Sequence, residues 1–208
     1  MSVQLDHILW AAPDLDAGSA LIGQLTGVDP ARGGSHAGFG TRNSLLSLGA
    51  TYLEIISPDP AQSLDGNRGG RIAALAEPGL TTFAVRTTDL DAYAAAAGRA
   101  GIGTRGPIEM GRTRPDGVRL DWACLYIEND VFGEFIPFGI DWKTSPHPSS
   151  STPTGATLRE FTILHPRADT LKRIYREMSI DVAVRLAAKP GFLAVLDTPK
   201  GDVVLTAS

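Results

Sequence analysis

The chain has very little cysteine: Cys124 is the single one among 208 residues, so an internal disulfide is excluded. A sequence without disulfides fits a reducing compartment. Cys124 lies in an apolar run, which favours a packed core thiol over a nucleophile. We therefore do not expect cysteine chemistry to carry the function.

An excess of basic residues and long apolar runs are also missing. The net charge is −4, which argues against a protein that binds a nucleic-acid backbone, because such proteins normally carry a basic stripe. No apolar run approaches the roughly 20 residues that a membrane-spanning helix needs. The N-terminus has neither the basic nor the long apolar region of a signal peptide. We expect a cytoplasmic protein without a nucleic-acid or membrane partner.

The chain does contain a repeat. Asp14-Leu15-Asp16-Ala17 recurs as Asp89-Leu90-Asp91-Ala92, about 75 residues later, and an apolar run precedes each copy. The first Asp of each copy can cap a helix through its carboxylate, and Gly27 can end the first helix as a C′ residue. Strand-like segments follow each helix, and the Gly49-Ala50 pair predicts a hairpin.

The repeat predicts an α+β fold built from β-α-β-β-β modules. Two full modules cover about residues 3–60 and 79–142 and form a predicted domain over 1–142. A segment rich in Pro, Ser and Thr, residues 143–157, predicts a linker or surface strap. Residues 158–208 form a third, shortened module that we expect to pack on the first two.

Paired modules of this kind resemble the vicinal oxygen chelate superfamily. Two segments resemble, more narrowly, the glyoxalase-like domain family: LDHILWAAPDLDAG and GGSHAGFGTRNSLLSLGATYLEIISPDP. The superfamily includes glyoxalase I, extradiol dioxygenases and antibiotic-resistance proteins of the bleomycin type. The resemblance covers residues 3–142 and extends to 158–206 only in the shape of the module. It implies curved mixed sheets around a shared cleft.

Two ionisable residues interrupt apolar rows on predicted strands, along which alternate side chains share a face. His7 interrupts the first strand of the first module, and Glu54 interrupts its fourth strand. Aligning the two copies places Glu134 on Glu54, in a strand row of its own, and Thr82 on His7. Buried ionisable groups are expensive unless they are paired or bound to a metal.

The resemblance implies that His7, Glu54 and Glu134 occupy ligand positions of the metal-bearing members, with Glu134 or Glu54 also acting as catalytic base. Nitrogen and oxygen ligands suit Fe, Mn, Ni, Co or Zn. Thr82 stands at a ligand position, and His36 either fills that place from a second strand or is a solvated loop residue. Alternatively, His7 hydrogen-bonds one of the glutamates in a metal-free polar cluster. The expected cofactor is therefore a divalent metal or none.

Two other histidines are not expected to act chemically. His147 lies in the predicted linker, in the sequence SPHPS, and is expected to be exposed. His165 ends a predicted strand just before Pro166, and we interpret it as structural or exposed.

Substrate-binding side chains are expected in two places. Arg42 and Asn43 lie near the first module's cleft by the same resemblance, and Asn43 interrupts an otherwise apolar strand. Arg112, Arg114 and Arg119 belong to a hairpin predicted over residues 111–120, with its turn at 114–117, and guanidinium groups can bind a carboxylate or phosphate. Trp122 would form an apolar wall beside them. The alternative is that these arginines are simply solvated.

The resemblance implies a small-molecule enzyme for a substrate with vicinal oxygens, of isomerase, lyase or dioxygenase type. The alternative is a metal-free protein on the same scaffold that binds or sequesters a small molecule. A third hypothesis is a chain without catalysis whose third module completes the core or supports self-association. In the first two cases the partner is a small-molecule ligand, and the chain is expected to be a monomer or a homodimer.

Overall fold

The computed structural model describes residues 2–114 and 117–207. The order of one strand, one helix and three strands occurs three times within them, which confirms the predicted α+β fold of repeated modules. The first module contains β1 (Gln4–Ala11), α1 (Leu15–Thr26), β2 (Ala31–His36), β3 (Thr41–Ser47) and β4 (Tyr52–Pro58), and a short helix, α2 (Arg68–Ala73), follows it.

The second module contains β5 (Gly79–Arg86), α3 (Leu90–Arg99), β6 (Gly103–Thr113), β7 (Arg119–Glu128) and β8 (Phe138–Asp141). A one-turn 3₁₀ helix, Gly133–Phe135, precedes β8, and another, Pro148–Ser150, follows it. The third module contains β9 (Thr157–His165), α4 (Ala168–Glu177), β10 (Ala183–Leu186), β11 (Gly191–Thr198) and β12 (Gly201–Thr206).

The repeated Asp-Leu-Asp-Ala sequence starts a helix in the same way in both full modules. Asp14 accepts a hydrogen bond from the backbone N–H of Ala17 at 2.8 Å, and Asp89 accepts one from Ala92 at 2.8 Å. Such capping satisfies an N–H group that has no acceptor inside the helix. α1 ends at Gly27, which adopts a positive φ of 76°. Both predicted helix starts and the predicted C′ glycine are confirmed.

The chain divides into two compact units. Helices α3 and α4 belong to unit 1, α1 and α2 belong to unit 2, and strands β1, β5, β9 and β11 contribute residues to each. Unit 1 holds the described residues of 1–7, 82–147 and 161–192, and unit 2 holds those of 8–81, 148–160 and 193–208.

Of the helices in the described part of the chain, none is long and apolar enough to cross a membrane.

In unit 2 the strands of the first module are hydrogen-bonded in the order β2-β3-β4-β1. β3 and β4 are antiparallel, with Ser47 opposite Tyr52. The turn between them is closed by a hydrogen bond from the N–H of Leu48 to the carbonyl of Thr51 at 2.9 Å. This is the hairpin that the Gly49-Ala50 pair predicts.

In unit 1 the strands of the second module have the order β5-β8-β7-β6. The fourth strand therefore lies between the first and the third, as it does in the first module. β6 and β7 form a long antiparallel hairpin. The side chains of Ala84, Leu120, Trp122, Cys124 and Ile140 form a buried cluster on this sheet. The position of Cys124 confirms the predicted core thiol.

The third module repeats the order of elements but not the order of strands. In unit 1 its second strand, β10, pairs in parallel with its first strand, β9. In unit 2 the order continues from β9 to β11 and β12, and the last two are antiparallel. The fourth strand therefore lies at an edge instead of beside the first. The division into residues 1–142, 143–157 and 158–208 stays a prediction.

The glycine-containing segment 67–71 is the start of a helix. Asn67 caps α2 by accepting a hydrogen bond from the N–H of Gly70 at 3.1 Å. A Cβ at Gly69 would lie 1.9 Å from the carbonyl oxygen of Gly40. The glycines here therefore allow close packing, which the sequence does not distinguish from a turn. In the turn predicted over 114–117, Pro115 and Asp116 lie outside the described residues.

Candidate functional site

Glu54 lies at the centre of a polar cluster in unit 2, which we term the Glu54 cluster. Glu54 is 5% exposed, and its Oε1 accepts a hydrogen bond from Nδ2 of Asn43 at 2.6 Å. Nε2 of His36 lies 3.6 Å from this oxygen and 3.3 Å from Nδ2 of Asn43. Nδ1 of His36 lies 2.9 Å from Oγ1 of Thr41. The cluster thus joins a carboxylate, an amide, an imidazole and a hydroxyl group.

Strand register brings these four residues to one face of the sheet. Asn43 of β3 is opposite Ile56 of β4, and His36 of β2 is opposite Thr41 of β3. Residues in direct register share a face, as does every second residue along a strand. Glu54 and Asn43 are therefore diagonal neighbours, and Glu54 interrupts an apolar row, as the alternation of side chains predicts. His36 ends a strand and is not a solvated loop residue.

A bulge in β2 fixes the orientation of the Asn43 amide. The register of β2 against β3 shifts over Gly33-Gly34. The N–H of Gly34 donates to Oδ1 of Asn43 at 2.8 Å, so the NH₂ group of the amide points to Glu54. A Cβ at Gly33 would lie 2.0 Å from the same Oδ1. Glycine at this position therefore leaves the room that the Asn43 side chain occupies.

Arg42 lies on the other face of β3. It is in register with Ser35 and Ser57, one residue away from the row that contains Asn43. On that face Gln62 lowers the pKa of Asp59 through a hydrogen bond, and the charge of Arg42 adds to the effect. The structure therefore brings Asn43, and not Arg42, to Glu54. Substrate binding by Asn43 or Arg42 stays a prediction.

A second polar cluster, in unit 1, surrounds Asp6, and we term it the Asp6 cluster. Asp6 is fully buried, at 0% exposed. Its Oδ1 accepts a hydrogen bond from Nδ1 of His7 at 2.6 Å. Its Oδ2 accepts hydrogen bonds from Nε1 of Trp142 at 3.0 Å and from Nε2 of His147 at 3.1 Å.

The Asp6 carboxyl is ionised at neutral pH although it is buried. Burial alone would raise the pKa of Asp6. The hydrogen bonds from His147 and His7, together with the positive charge that these imidazoles carry when protonated, outweigh burial and hold the pKa of Asp6 below its ordinary value. A buried carboxylate with three donors is a fixed anion, so it orients the groups that bind it.

Neither Asp6 nor the position of His147 follows from the sequence. Alternation assigns Asp6 to the face opposite His7, yet both faces of β1 are buried from Asp6 to its end. The expectation that His147 is exposed is wrong, since its side chain is 19% exposed and hydrogen-bonded to Asp6. The available signal was a pair of adjacent ionisable residues inside an apolar strand.

Glu134 does not lie in a strand, so the strand row predicted for it is wrong. The fourth strand of the second module, β8, begins at Phe138. Glu134 lies before it in the 3₁₀ helix, and its side chain is exposed. Such a helix has three residues per turn, so side chains two apart do not share a face as they do in a strand. A role for Glu134 as base or ligand stays a prediction.

Three buried hydroxyl groups hold residues 132–137, which we term the Glu134 turn. Burial raises the pKa of Tyr93 and Tyr175 and keeps both protonated, so they act as donors. Tyr175 belongs to α4, so the third module contributes to this segment. The acceptors are backbone carbonyls: Thr82 donates to Glu134 at 2.9 Å, Tyr93 to Pro137 at 2.9 Å and Tyr175 to Phe135 at 2.5 Å.

The other predicted binding residues lie in the β6–β7 hairpin of unit 1. Arg119 is exposed, and its Nε donates to Oδ1 of Asp121 at 2.9 Å. Trp122 is 7% exposed and packs on Trp142 with ring centroids 5.5 Å apart, so it is a core residue rather than an open wall. The backbone of Arg114 closes the hairpin. Substrate binding by Arg114 and Arg119 stays a prediction.

The described residues do not fit a metal site with three protein ligands. Within residues 2–114 and 117–207, no three His, Cys, Asp or Glu side chains are grouped so that they could hold one ion. In the Glu54 cluster the third group is the Asn43 amide, which presents NH₂, a donor that cannot act as a ligand, because its oxygen accepts from Gly34. Metal binding stays a prediction from resemblance for His7, Glu54, Glu134 and His36.

The sequence matches the model of a protein family described as glyoxalase-like domain over residues 5–179. The matched region includes both full modules and extends through α4 of the third. Comparison with curated protein sequences gave no match.

Several solved structures have a similar fold at low sequence identity. A hypothetical protein from Staphylococcus aureus is 18% identical, with 99% of this chain and 85% of that chain covered and a TM-score of 0.67. A methylmalonyl-CoA epimerase in complex with methylmalonyl-CoA and NH4+ is 20% identical, with 71% and 100% covered and a TM-score of 0.51. A hypothetical protein from Bacillus halodurans C-125 is 14% identical, with 70% and 99% covered and a TM-score of 0.51. The family match spans most of the chain, and the protein therefore belongs to the glyoxalase-like domain family of the vicinal oxygen chelate superfamily.

Proposed function

We propose that the protein is a small-molecule isomerase that moves a proton on the carbon next to a carbonyl group, in a substrate with vicinal oxygens. The observation that carries the proposal is the buried carboxylate of Glu54, fixed at 2.6 Å by the Asn43 amide. A general base must be held in one orientation and within reach of its substrate. The side chain of His36 is 17% exposed, so the Glu54 cluster reaches the surface at this imidazole.

In this reaction Glu54 removes the proton. The electron pair of the broken C–H bond moves to the adjacent carbonyl oxygen, which becomes an enolate, and the proton resides on the carboxylate of Glu54. Delivery of a proton from water or a second acid to the opposite face of the same carbon restores the carbonyl and inverts that carbon. Asn43 keeps the carboxylate oriented through both steps, and the His36 imidazole lies close enough to exchange the proton with solvent.

The comparisons support an isomerase more than a lyase or a dioxygenase. Among the solved structures of similar fold is an enzyme named methylmalonyl-CoA epimerase. Inversion at a carbon next to a carbonyl requires removal of a proton from one face, which an oriented carboxylate can perform, and delivery of a proton to the opposite face by water or a second acid. This scaffold hosts many activities, so the resemblance guides the choice of substrates to test and does not select one.

A protein that only binds a small molecule is the second candidate. It is favoured by the fact that the amide and carboxylate of the Glu54 cluster are already hydrogen-bonded to each other. A preformed arrangement of this kind can recognise a ligand without transforming it. This candidate predicts ligand binding without proton exchange.

The test is proton exchange in deuterated water. The protein is incubated with 2-hydroxy acids, 2-oxo acids and malonyl-type thioesters, and the signal of the hydrogen next to the carbonyl is followed by proton NMR. We expect exchange that Glu54→Gln slows by about 10²–10⁴-fold and that Glu77→Gln, at an exposed glutamate, leaves unchanged. Exchange of equal rate in Glu54→Gln contradicts the proposal.

A thermal-shift measurement on the same compounds separates the two candidates. A ligand that binds only the folded chain raises Tm. If compounds raise Tm but none of them exchanges its proton, the binding protein becomes the favoured function in place of the enzyme.

A further inference from the structure

We propose that Asp6 is the positioning residue of His7 and fixes the imidazole as the tautomer with its proton on Nδ1. In neutral imidazole one nitrogen is a donor and the other carries the lone pair. The carboxylate of Asp6 has no proton to donate, so Nδ1 of His7 must be the donor in their 2.6 Å hydrogen bond. Nε2 of His7 is then the basic nitrogen.

The Asp6 carboxylate is itself held rigidly, which is what a positioning residue requires. Oδ2 is occupied by Nε1 of Trp142 at 3.0 Å and by Nε2 of His147 at 3.1 Å. These two donors fix the plane of the carboxylate, and Oδ1 accepts from Nδ1 of His7. Trp142 also packs on Trp122, with ring centroids 5.5 Å apart, so its indole cannot easily turn away.

Each of the two imidazoles of the Asp6 cluster has a further neighbour in unit 1. The ring of Phe138 meets the His7 imidazole edge-on, with centroids 5.7 Å apart, and limits rotation of the ring. The guanidinium of Arg86 lies 3.5 Å from Nε2 of His147 and is held by two hydrogen bonds to Gln4.

The residues after β8 help to hold the Asp6 carboxylate in place. The sequence predicts residues 143–157 to be a linker. Trp142 directly precedes this segment, and His147 lies within it. They bind the carboxylate that orients His7. Displacement of this segment would free Oδ2 of Asp6 and loosen the imidazole. The inference does not rest on the proposed function, which uses Glu54, because the tautomer of His7 is a property of the protein without substrate.

The test is nitrogen-15 NMR of the imidazoles in the full chain, which distinguishes protonated from unprotonated ring nitrogens. His165 is an internal control with the opposite tautomer, because its Nδ1 accepts the N–H of Arg167 at 2.9 Å. In the wild type at pH 8 we expect His7 to carry its proton on Nδ1 and His165 on Nε2. A His7 that carries its proton only on Nε2 overturns the proposal without any variant.

Substitution then tests the cause. In Asp6→Asn we expect the Nδ1-protonated fraction of His7 to fall and the indole N–H signal of Trp142 to move, while His165 is unchanged. Trp142→Phe, which removes one donor and keeps Asp6, should broaden or shift the His7 signals less. Unchanged His7 signals in a folded Asp6→Asn protein overturn the proposal. These outcomes are independent of proton exchange with substrates, so the inference and the proposed function can fail separately.

Discussion

The amide of Asn43 joins the carboxylate of Glu54 to the backbone of the neighbouring strand. Its Nδ2 donates to Oε1 of Glu54 at 2.6 Å, and its Oδ1 accepts from the N–H of Gly34 at 2.8 Å. One side chain therefore transmits the position of the β2 bulge to the candidate base. Since each atom of the amide has a fixed partner, the orientation of Glu54 depends on residues from three adjacent strands.

A double-mutant cycle at Asn43 and Glu54 should reveal this coupling. Asn43→Leu leaves the buried carboxylate without its amide donor, and Glu54→Leu leaves the amide without its acceptor. We expect each single change to lower the free energy of unfolding by about 1–3 kcal/mol. The double variant should cost less than the sum, because neither group remains to be buried alone. Urea unfolding measures all four proteins, and strictly additive effects would contradict the coupling.

Substitution of Gly33 should destabilise the protein about as much as substitution of Asn43, whose side chain Gly33 accommodates. A Cβ at this position would lie 2.0 Å from Oδ1 of Asn43, so Gly33→Ala must push the amide away from Glu54. We expect a loss of about 1–3 kcal/mol in the free energy of unfolding and slower proton exchange with substrate. Gly191→Ala is the matched control, because it is also a strand glycine and a Cβ there meets nothing within 4 Å.

The result for Gly33→Ala should depend on Asn43. If the added methyl group acts by displacing the amide, most of its effect disappears when it is introduced into Asn43→Leu. An effect of equal size in both backgrounds would mean that the methyl group disturbs the bulge itself.

The hydroxyl groups of Thr82 and Tyr175 should control the order of the Glu134 turn. Thr82→Val and Tyr175→Phe each remove a hydroxyl donor from a backbone carbonyl of this turn, and we expect each to lower the free energy of unfolding by about 0.5–1.5 kcal/mol. Hydrogen exchange at the amides of Phe135 and Ile136, which lie next to these carbonyls, should become faster. Arg119→Ala, at an exposed residue of the same unit, is the control. Unchanged hydrogen exchange in both variants would show that the Glu134 turn keeps its conformation without these hydroxyl groups.

The repeat in the sequence predicted the parts of the fold that depend on local chemistry. Asp14 and Asp89 cap their helices because a carboxylate placed before a helical run binds the free N–H groups whatever surrounds it. Glu54 could be assigned to a face because a strand alternates regularly. Glu134 could not, because the second copy replaces the strand with a 3₁₀ turn held by hydroxyls that lie far away in the sequence.

Contacts between distant segments explain the other differences. Asp6 and His147 are 141 residues apart, and no local pattern connects them. The third module has the predicted order of elements, yet β10 pairs with β9, because the order of elements does not determine which strands pair. Side chains whose role depends on such pairings become visible only in the folded chain.

His165 should make the stability of the protein fall as the solution becomes acidic. It is 5% exposed, its Nδ1 accepts the N–H of Arg167, and its ring packs between Phe132 and Phe135 with centroids 5.2 and 5.3 Å away. Burial lowers the pKa of His165, and the charge of Arg167 lowers it further. The folded state therefore binds a proton less readily than the unfolded state, in which the pKa is about 6.5. The stability that neutral His165 contributes is present above this value and is lost as the pH falls below it towards the pKa of the folded state.

The measurement is urea unfolding of the wild type and of His165→Gln at pH 7.5, 6.5 and 5.5. A glutamine can still accept the backbone hydrogen bond but does not titrate, so the other ionisable groups cancel in the difference between the two proteins. We expect the free energy of unfolding of the wild type, relative to the variant, to decrease with falling pH, with a slope of at most about 1.4 kcal/mol per pH unit. A constant difference would show that the imidazole has the same proton affinity in both states. A difference that grows in acid would mean that the folded chain stabilises the charged ring, contrary to its apolar surroundings.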